Sequence, residues 1–240
     1  MKVLFFNSYR MLSQNSSKPD VRMSFIKYLK NCKHRFDAIC LAESSSSNIG
    51  VNELLPEYNI YQSALIDTRL YQQGFKFSIA SRGECLVKPI NYPTDDYPNQ
   101  AFINSDENIG YCSEQLFSIR LGSTDVVVVH IQAIDSRIEM KELSKYSQSA
   151  GLKQLCVYMK NNKPDVVIGD FNLGKNTLRN KLGDLNFDAS KSIYSFANIG
   201  QDVYGGKIHH ALRSNSKPNV EYISEVHTHL TTALLIEINS

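Results

Sequence analysis

The chain has 240 residues, 42% of them hydrophobic and 21% charged, a globular composition that excludes a largely disordered protein. Its formal net charge of +2 is too small to argue for a nucleic-acid partner by itself, although a nearly neutral protein can carry a locally positive groove. The five cysteines are odd in number and form no C-x-x-C pair, which disfavours a zinc ribbon, a thioredoxin-type motif and a complete disulfide framework.

The opening segment MKVLFFNSYR has an apolar run only from Val3 to Phe6, too short for a signal segment or a membrane span. The expectation is therefore a cytoplasmic protein with no membrane partner, and the sequon at Asn15-Ser16-Ser17 is set aside. Residues 2–6 read as a strand that ends at Asn7, followed by a polar loop to Pro19. A helix is predicted over 20–32, capped by Asp20, with Val21, Phe25 and Leu29 on one face. Asp37 to Glu43 reads as a short buried strand ending in a carboxylate, and the serines at 44–47 as a loop. Strands are predicted at 58–64, 75–80 and 84–90, the last two closed into a hairpin by Ser81-Arg82-Gly83. An irregular stretch from Asn91 to Ser113 has the length of a functional loop. Strands at 115–121 and 125–131 flank Gly122-Ser123-Thr124 as another hairpin, the second strand being valine-rich and carrying His130. A helix at 147–162 places Leu152, Leu155, Cys156 and Met159 at helical spacing. Three further strands are predicted near 206–213, 219–225 and 232–238. The pattern is α/β: two mixed sheets packed face to face as a sandwich, with helices outside, in one domain spanning 1–240.

Between the second helix and the last strands stands PDVVIGDFNLG, residues 164–174. The run Val166-Val167-Ile168 closed by Gly169 reads as a core strand that delivers Asp170 and Asn172 through a tight turn. In extended geometry residues two apart share a face, which would present a carboxylate and an amide together. Asp and Asn are also common turn residues, so this segment alone leaves a plain capped turn open. Asn7, Glu43 and His130 likewise end apolar strands, and His227-Thr228-His229 precedes the last one. Each alone is ordinary strand-end chemistry; the repetition is what points to a site. The combination suits phosphodiester hydrolysis. Glu43 can hold a hard cation, Asp170 can take a proton from water, and histidines can stabilise charge on phosphoryl oxygens.

In this order the segments resemble the endonuclease/exonuclease/phosphatase superfamily, the deoxyribonuclease I-like proteins, across nearly the whole chain. VLFFNSYR resembles the first-strand motif ending in a metal-site Asn, here Asn7. DAICLAES resembles the motif whose Glu binds the metal, here Glu43. FKFSIASRGE resembles the strand that ends at an Arg, here Arg82. VVVVHIQA resembles the strand whose His meets the scissile phosphate, here His130. VVIGDFNLG resembles the G-D-F-N motif, which makes Asp170 the water activator and Asn172 its phosphate-side partner. VHTHLTTALLIEI resembles the terminal S-D-H motif, which makes His229 the closing histidine. The resemblance implies a four-layer α/β/β/α sandwich of the deoxyribonuclease I type.

Two positions depart from the pattern. Thr228 stands where an Asp precedes the closing His, and KIHHALRSN places His209 where an upstream Asp would support that His. Glu221 or Glu225 is the available substitute, with VEYIS as a second-ranked alignment that makes Glu221 the partner. His227 and His229 alternate on one strand, so with His209 they form a trio that suits Zn²⁺. The expected cofactor nonetheless is Mg²⁺, with Mn²⁺ as a substitute and Zn²⁺ the less favoured ion. Lys175, Arg82 and Arg120 are the expected substrate-binding cations, with Arg10, Arg69 and Arg179 also near the proposed rim. Tyr71, Phe75 and Tyr111 are candidates to stack on bases. The leading reading is a metal-dependent nuclease acting on DNA or RNA. Two alternatives stand beside it: a member that binds nucleic acid or a protein without cutting, and a phosphatase of a small phosphoester.

Overall fold

The computed structural model describes residues 1–8, 19–45, 51–63, 75–90, 116–131, 133–134, 136, 138–185, 194–196, 209–214, 220–226 and 232–238. Twelve strands form two six-stranded mixed sheets among these residues. In chain order the elements are β1 (Lys2–Asn7), α1 (Pro19–Cys32), β2 (Ala38–Ser45), α2 (Val51–Leu54), β3 (Asn59–Gln62), β4 (Phe75–Ser81) and β5 (Leu86–Pro89). There follow β6 (Leu116–Leu121), β7 (Thr124–His130), α3 (Ile138–Asn162), β8 (Val166–Asp170), α4 (Lys175–Asp184), β9 (Tyr194–Phe196), β10 (His209–Ser214), β11 (Val220–Val226) and β12 (Thr232–Ile238). The first sheet has the order β11-β12-β1-β2-β4-β3 and the second β5-β6-β7-β8-β10-β9.

Strand alternation sorts the side chains into three apolar layers. Val3 and Phe5 of β1, Cys40 of β2 and Phe77 and Ile79 of β4 meet Phe117, Ile119, Val126, Val128, Val166 and Ile168 of the second sheet. The intervening residues Leu4, Phe6, Ile39 and Leu41 face the other way and pack with Ile26 and Leu29 of α1. On the far side Val127, Val129 and Val167 pack with Leu152, Leu155, Cys156 and Met159 of α3 and with Leu178 and Leu182 of α4. Strands buried on both faces need continuous apolar runs, which is why β1, β7 and β8 read so plainly in the sequence. The result is the α/β/β/α sandwich expected, and each buried Leu, Val or Phe contributes roughly 1.5–3 kcal/mol to holding it.

Several expectations are corrected. Strands β4 and β5 are not a hairpin: β4 pairs with β2 and β3, whereas β5 pairs with β6 in the other sheet. Ser81-Arg82-Gly83 is thus part of the crossover between sheets. The hairpin expected around Gly122 is present, with Leu121 opposite Thr124 and Gly122 at φ 59. Ser44 and Ser45 belong to β2 rather than to a loop, and the Ser44 hydroxyl lies 2.7 Å from that of Ser78. Asp20 lies inside the first turn of α1, which starts at Pro19, a residue suited to a helix start. The second long helix begins at Ile138, well before residue 147. Elements α2, α4 and β9 were not expected. The stretch 91–113 lies outside the described residues. No helix among those described is long and apolar enough to cross a membrane.

Candidate active site

Strands β1 and β2 run parallel, as do β7 and β8, so their C-terminal ends come to one pole of the sandwich. In β7 and β8 the inner-face series Val126, Val128 and Val166, Ile168 continues to His130 and Asp170, which stand opposite each other in the ladder. In β1 the series Val3, Phe5 continues to Asn7. Alternation alone therefore aims Asn7, His130 and Asp170 into the cleft where the two sheets meet. Glu43 breaks this rule, because Ile39 and Leu41 of the same parity face the helix layer. A register shift between Leu41 and Ser44 and a left-handed backbone at Glu43 (φ 50) turn its side chain inward. A bulge beside a chemical centre is a common way to re-aim one residue.

Once there, four side chains from two sheets touch. The Asn7 Nδ2 donates to Asp170 Oδ2 at 2.8 Å and, more weakly, to Glu43 Oε1 at 3.4 Å. His130 Nε2 lies 3.1 Å from the same Glu43 oxygen. All four groups are buried, at 8% exposure or less. Burial is the largest single influence on His130 and works against its charged form. The hydrogen bond and charge of Glu43, with the charge of Asp170, outweigh it together, so the His130 pKa is raised.

The turn after β8 is held from several sides. Asn172 has a left-handed backbone (φ 50), its N–H donates to Asp170 Oδ1 at 2.8 Å, and its Nδ2 donates to the Ile131 carbonyl at 2.8 Å. The Ile131 N–H in turn donates to the Asp170 carbonyl at 2.8 Å. Asn172 therefore does not share an extended face with Asp170; it closes a turn and ties it to the segment after His130. Gly169 is needed because a Cβ there would stand 1.9 Å from the Val129 carbonyl oxygen.

The remaining expected residues divide by pole. Lys175 opens α4, directly after this turn, and Arg179 is one turn further along an exposed face. Arg82 and Arg120 do not join the site. Strand β4 is antiparallel to β2, so Arg82 follows Ser81 opposite Ala38, about 16 Å of strand from Glu43. There its N–H donates to the Asp37 carbonyl and its guanidinium lies over the Tyr58 ring at 5.5 Å. Arg120 faces Asp125 at the equivalent end of β7 and holds it with two 2.7 Å hydrogen bonds. His209 stands opposite Asp170 in the β8–β10 ladder. Glu221 is opposite Glu237, which is opposite Lys2, so it lies at the end of its sheet away from Asn7. His227, Thr228 and His229 are outside the described residues, as are Arg10, Arg69, Tyr71 and Tyr111, while Phe75 is placed by its backbone opposite Ser45. β12 runs antiparallel to β1 with Phe5 opposite Leu234, so its first residue, Thr232, enters at the Asn7 end. One residue was missed: His210, fully buried, with Nε2 2.6 Å from the Leu173 carbonyl. The available signal was its parity with Leu212, which put a polar residue in an apolar slot.

The fold repeats in solved structures. A 3′-5′ exonuclease from Neisseria meningitidis superposes over 100% of both chains with a TM-score of 0.65 at 12% identity. An AP endonuclease from Archaeoglobus fulgidus does so over 100% of both chains at 0.59 and 15% identity. The human Nocturnin catalytic domain gives 0.61 at 12% identity, over 100% of this chain and 93% of its own. The chain has the endonuclease/exonuclease/phosphatase fold. Within that fold its neighbours are nucleases and phosphodiesterases. No family model and no curated protein sequence matches the chain.

The fold implies a divalent cation, and the donor set here suits one. Glu43, Asp170 and Asn7 offer hard oxygens, and Glu43 Oε2 takes no hydrogen bond among the described residues. No group of three His, Cys, Asp or Glu among the described residues could hold a metal ion. Mg²⁺ does not require such a cage, since it keeps water and phosphate oxygens beside one or two carboxylates.

Proposed function

We propose that this protein is a divalent-metal-dependent phosphodiesterase that cuts nucleic acid. The observation that carries the reading is the convergence of Asn7, Glu43, His130 and Asp170, from two sheets, within hydrogen-bonding distance at one buried pole. Glu43, with Asn7 beside it, would hold Mg²⁺, or Mn²⁺ in its place. When bound, the ion supplies charge stabilisation to phosphoryl oxygens. Asp170 orients the attacking water and takes its proton. Asn7 fixes the spacing of the two carboxylates. His130 holds Glu43 in place and adds positive character behind it, and the resemblance assigns His229, outside the described residues, to the phosphoryl oxygens. Lys175 meets the substrate backbone at the mouth.

The fold's company favours a nucleic-acid substrate: a Neisseria 3′ phosphatase bound to a product DNA hairpin matches over 100% of both chains with a TM-score of 0.64 at 11% identity. The test is incubation of the pure protein with labelled single- and double-stranded DNA and RNA, with Mg²⁺, Mn²⁺, Zn²⁺ or a chelator. Cleavage is expected with Mg²⁺ or Mn²⁺ and not with chelator. Asp170→Asn and His229→Ala should each lower turnover by about 10²–10⁴-fold without unfolding the protein. Unchanged rates in both variants would refute the assignment. Salt-dependent binding without product under every metal would instead establish a protein that grips without cutting.

A further inference from the structure

His210 takes no part in the chemistry described above, yet it lies directly beneath it. It is fully buried and stands opposite Gly169 in the β8–β10 ladder. Its neighbours in β10 fix its side: Ala211 belongs to the layer between the sheets and Leu212 to the helix layer, so His210 shares the face of Leu212. That slot is otherwise apolar, and a Leu there would bury as well without desolvating an imidazole.

The connection from β8 to α4 explains the histidine. Only Phe171, Asn172, Leu173 and Gly174 separate Asp170 from the first helical residue, Lys175. Phe171 and Leu173 are drawn into the helix layer, and Leu173 is 7% exposed. Its carbonyl lies outside both the strand and the helix, where a buried acceptor needs a donor. His210 supplies it: Nε2 is 2.6 Å from the Leu173 oxygen. A carbonyl only accepts, so Nε2 carries the hydrogen. The Phe171 ring packs against the imidazole at 5.7 Å between centroids, inclined at 58°, and sets its plane.

We propose that His210 is a positioning residue for Asp170, pinning the turn 170–174 from the helix side while Asn172 pins it from the cleft side. The two anchors are independent. Asn172 fastens the turn to Ile131, after β7, and His210 fastens it to β10. With both in place the turn that follows Asp170 is held from both sides. The consequence for turnover rests on the phosphodiesterase reading; the anchoring itself does not.

The experiment compares the wild type with His210→Phe, which keeps a ring and loses the donor, and His210→Gln, which keeps an N–H donor. Two quantities are read: steady-state hydrolysis of a phosphodiester, and amide hydrogen exchange across residues 166–178. H210F should lower kcat by about tenfold to a hundredfold with KM within twofold, the pattern of a misplaced group rather than lost binding. It should also speed exchange at the Asn172 N–H, which donates to Asp170. H210Q should recover most of both. If H210F does not fold, His210→Leu serves the same comparison. Wild-type kcat and undisturbed Asn172 exchange in the donor-free variant would overturn the proposal, even if its melting temperature fell. A wild-type protein that hydrolyses no phosphodiester would overturn the functional reading instead, and exchange at Asn172 would then decide the role of His210 alone.

Discussion

At the scale of single residues, the pole is built by parity with one exception. Asn7, His130 and Asp170 each continue an inward-facing apolar series, so their convergence was legible from strand alternation once the sheets were known to face each other. Glu43 was legible as a strand end but not as an inward side chain, because a bulge leaves no mark in a run such as Ile-Cys-Leu-Ala-Glu. Extended spacing predicts that Asn172 shares a face with Asp170; its left-handed backbone instead makes it a clamp on the turn. His210 is not legible in the same way, because a histidine beside another histidine at a strand start gives no local cue to a partner in a different connection. Gly169 gives the sharpest residue-level prediction. Gly169→Ala would drive a methyl to within 1.9 Å of the Val129 carbonyl oxygen, and only movement of β7 from β8 relieves it. The expected loss is about 3 kcal/mol or more, read as a lowered urea midpoint, with activity falling in parallel because His130 and Asp170 sit on those two strands.

At the scale of elements, strand direction decides what the sequence could not. Two short runs joined by Ser-Arg-Gly satisfy every local signal for a hairpin, yet β4 and β5 belong to different sheets. Pairing partners are set by distant chain, so a local signal cannot choose between a turn and a crossover. The same local signal puts Arg82 beside the active face, and nothing local in the sequence fixes the end of the sheet at which Arg120 stands. Both lie at the opposite pole, Arg120 locked to Asp125. Arg82→Ala and Arg120→Ala should therefore leave kcat/KM for a nucleic-acid substrate within about twofold, whereas Lys175→Ala should raise KM and flatten its salt dependence. A large loss of kcat/KM in either arginine variant would contradict the polarity described here. Helix α4 was missed although Leu178 and Leu182, four apart and both fully buried, carried its signal within an otherwise polar segment.

At the scale of the whole molecule, stability and chemistry draw on separate layers. The apolar layers bury Cys40 between the sheets and Cys156 on the inner face of α3. Burial raises both thiols, Cys156 to about 11. Between about pH 9 and 11 the unfolded chain therefore releases thiol protons that the native protein keeps. The unfolded state then binds fewer protons, and stability falls as pH rises, by about 2 kcal/mol from Cys156 across that window, with Cys40 acting in the same direction. Urea unfolding at pH 8 and pH 10.5 should show a smaller loss in Cys156→Ala than in the wild type; equal losses would place Cys156 outside the cause. The pole where Asn7, Glu43, His130 and Asp170 meet obeys a different constraint. Asn7 and Asp170 are 163 positions apart and reach each other across the gap between sheets. Amide and carboxylate thus act as a gauge of how tightly the two halves are shut. A separation of about 1 Å, too slight to disturb any helix or ladder, would part them, so the proposed activity should vanish while the spectroscopic signature of the folded chain still looks whole.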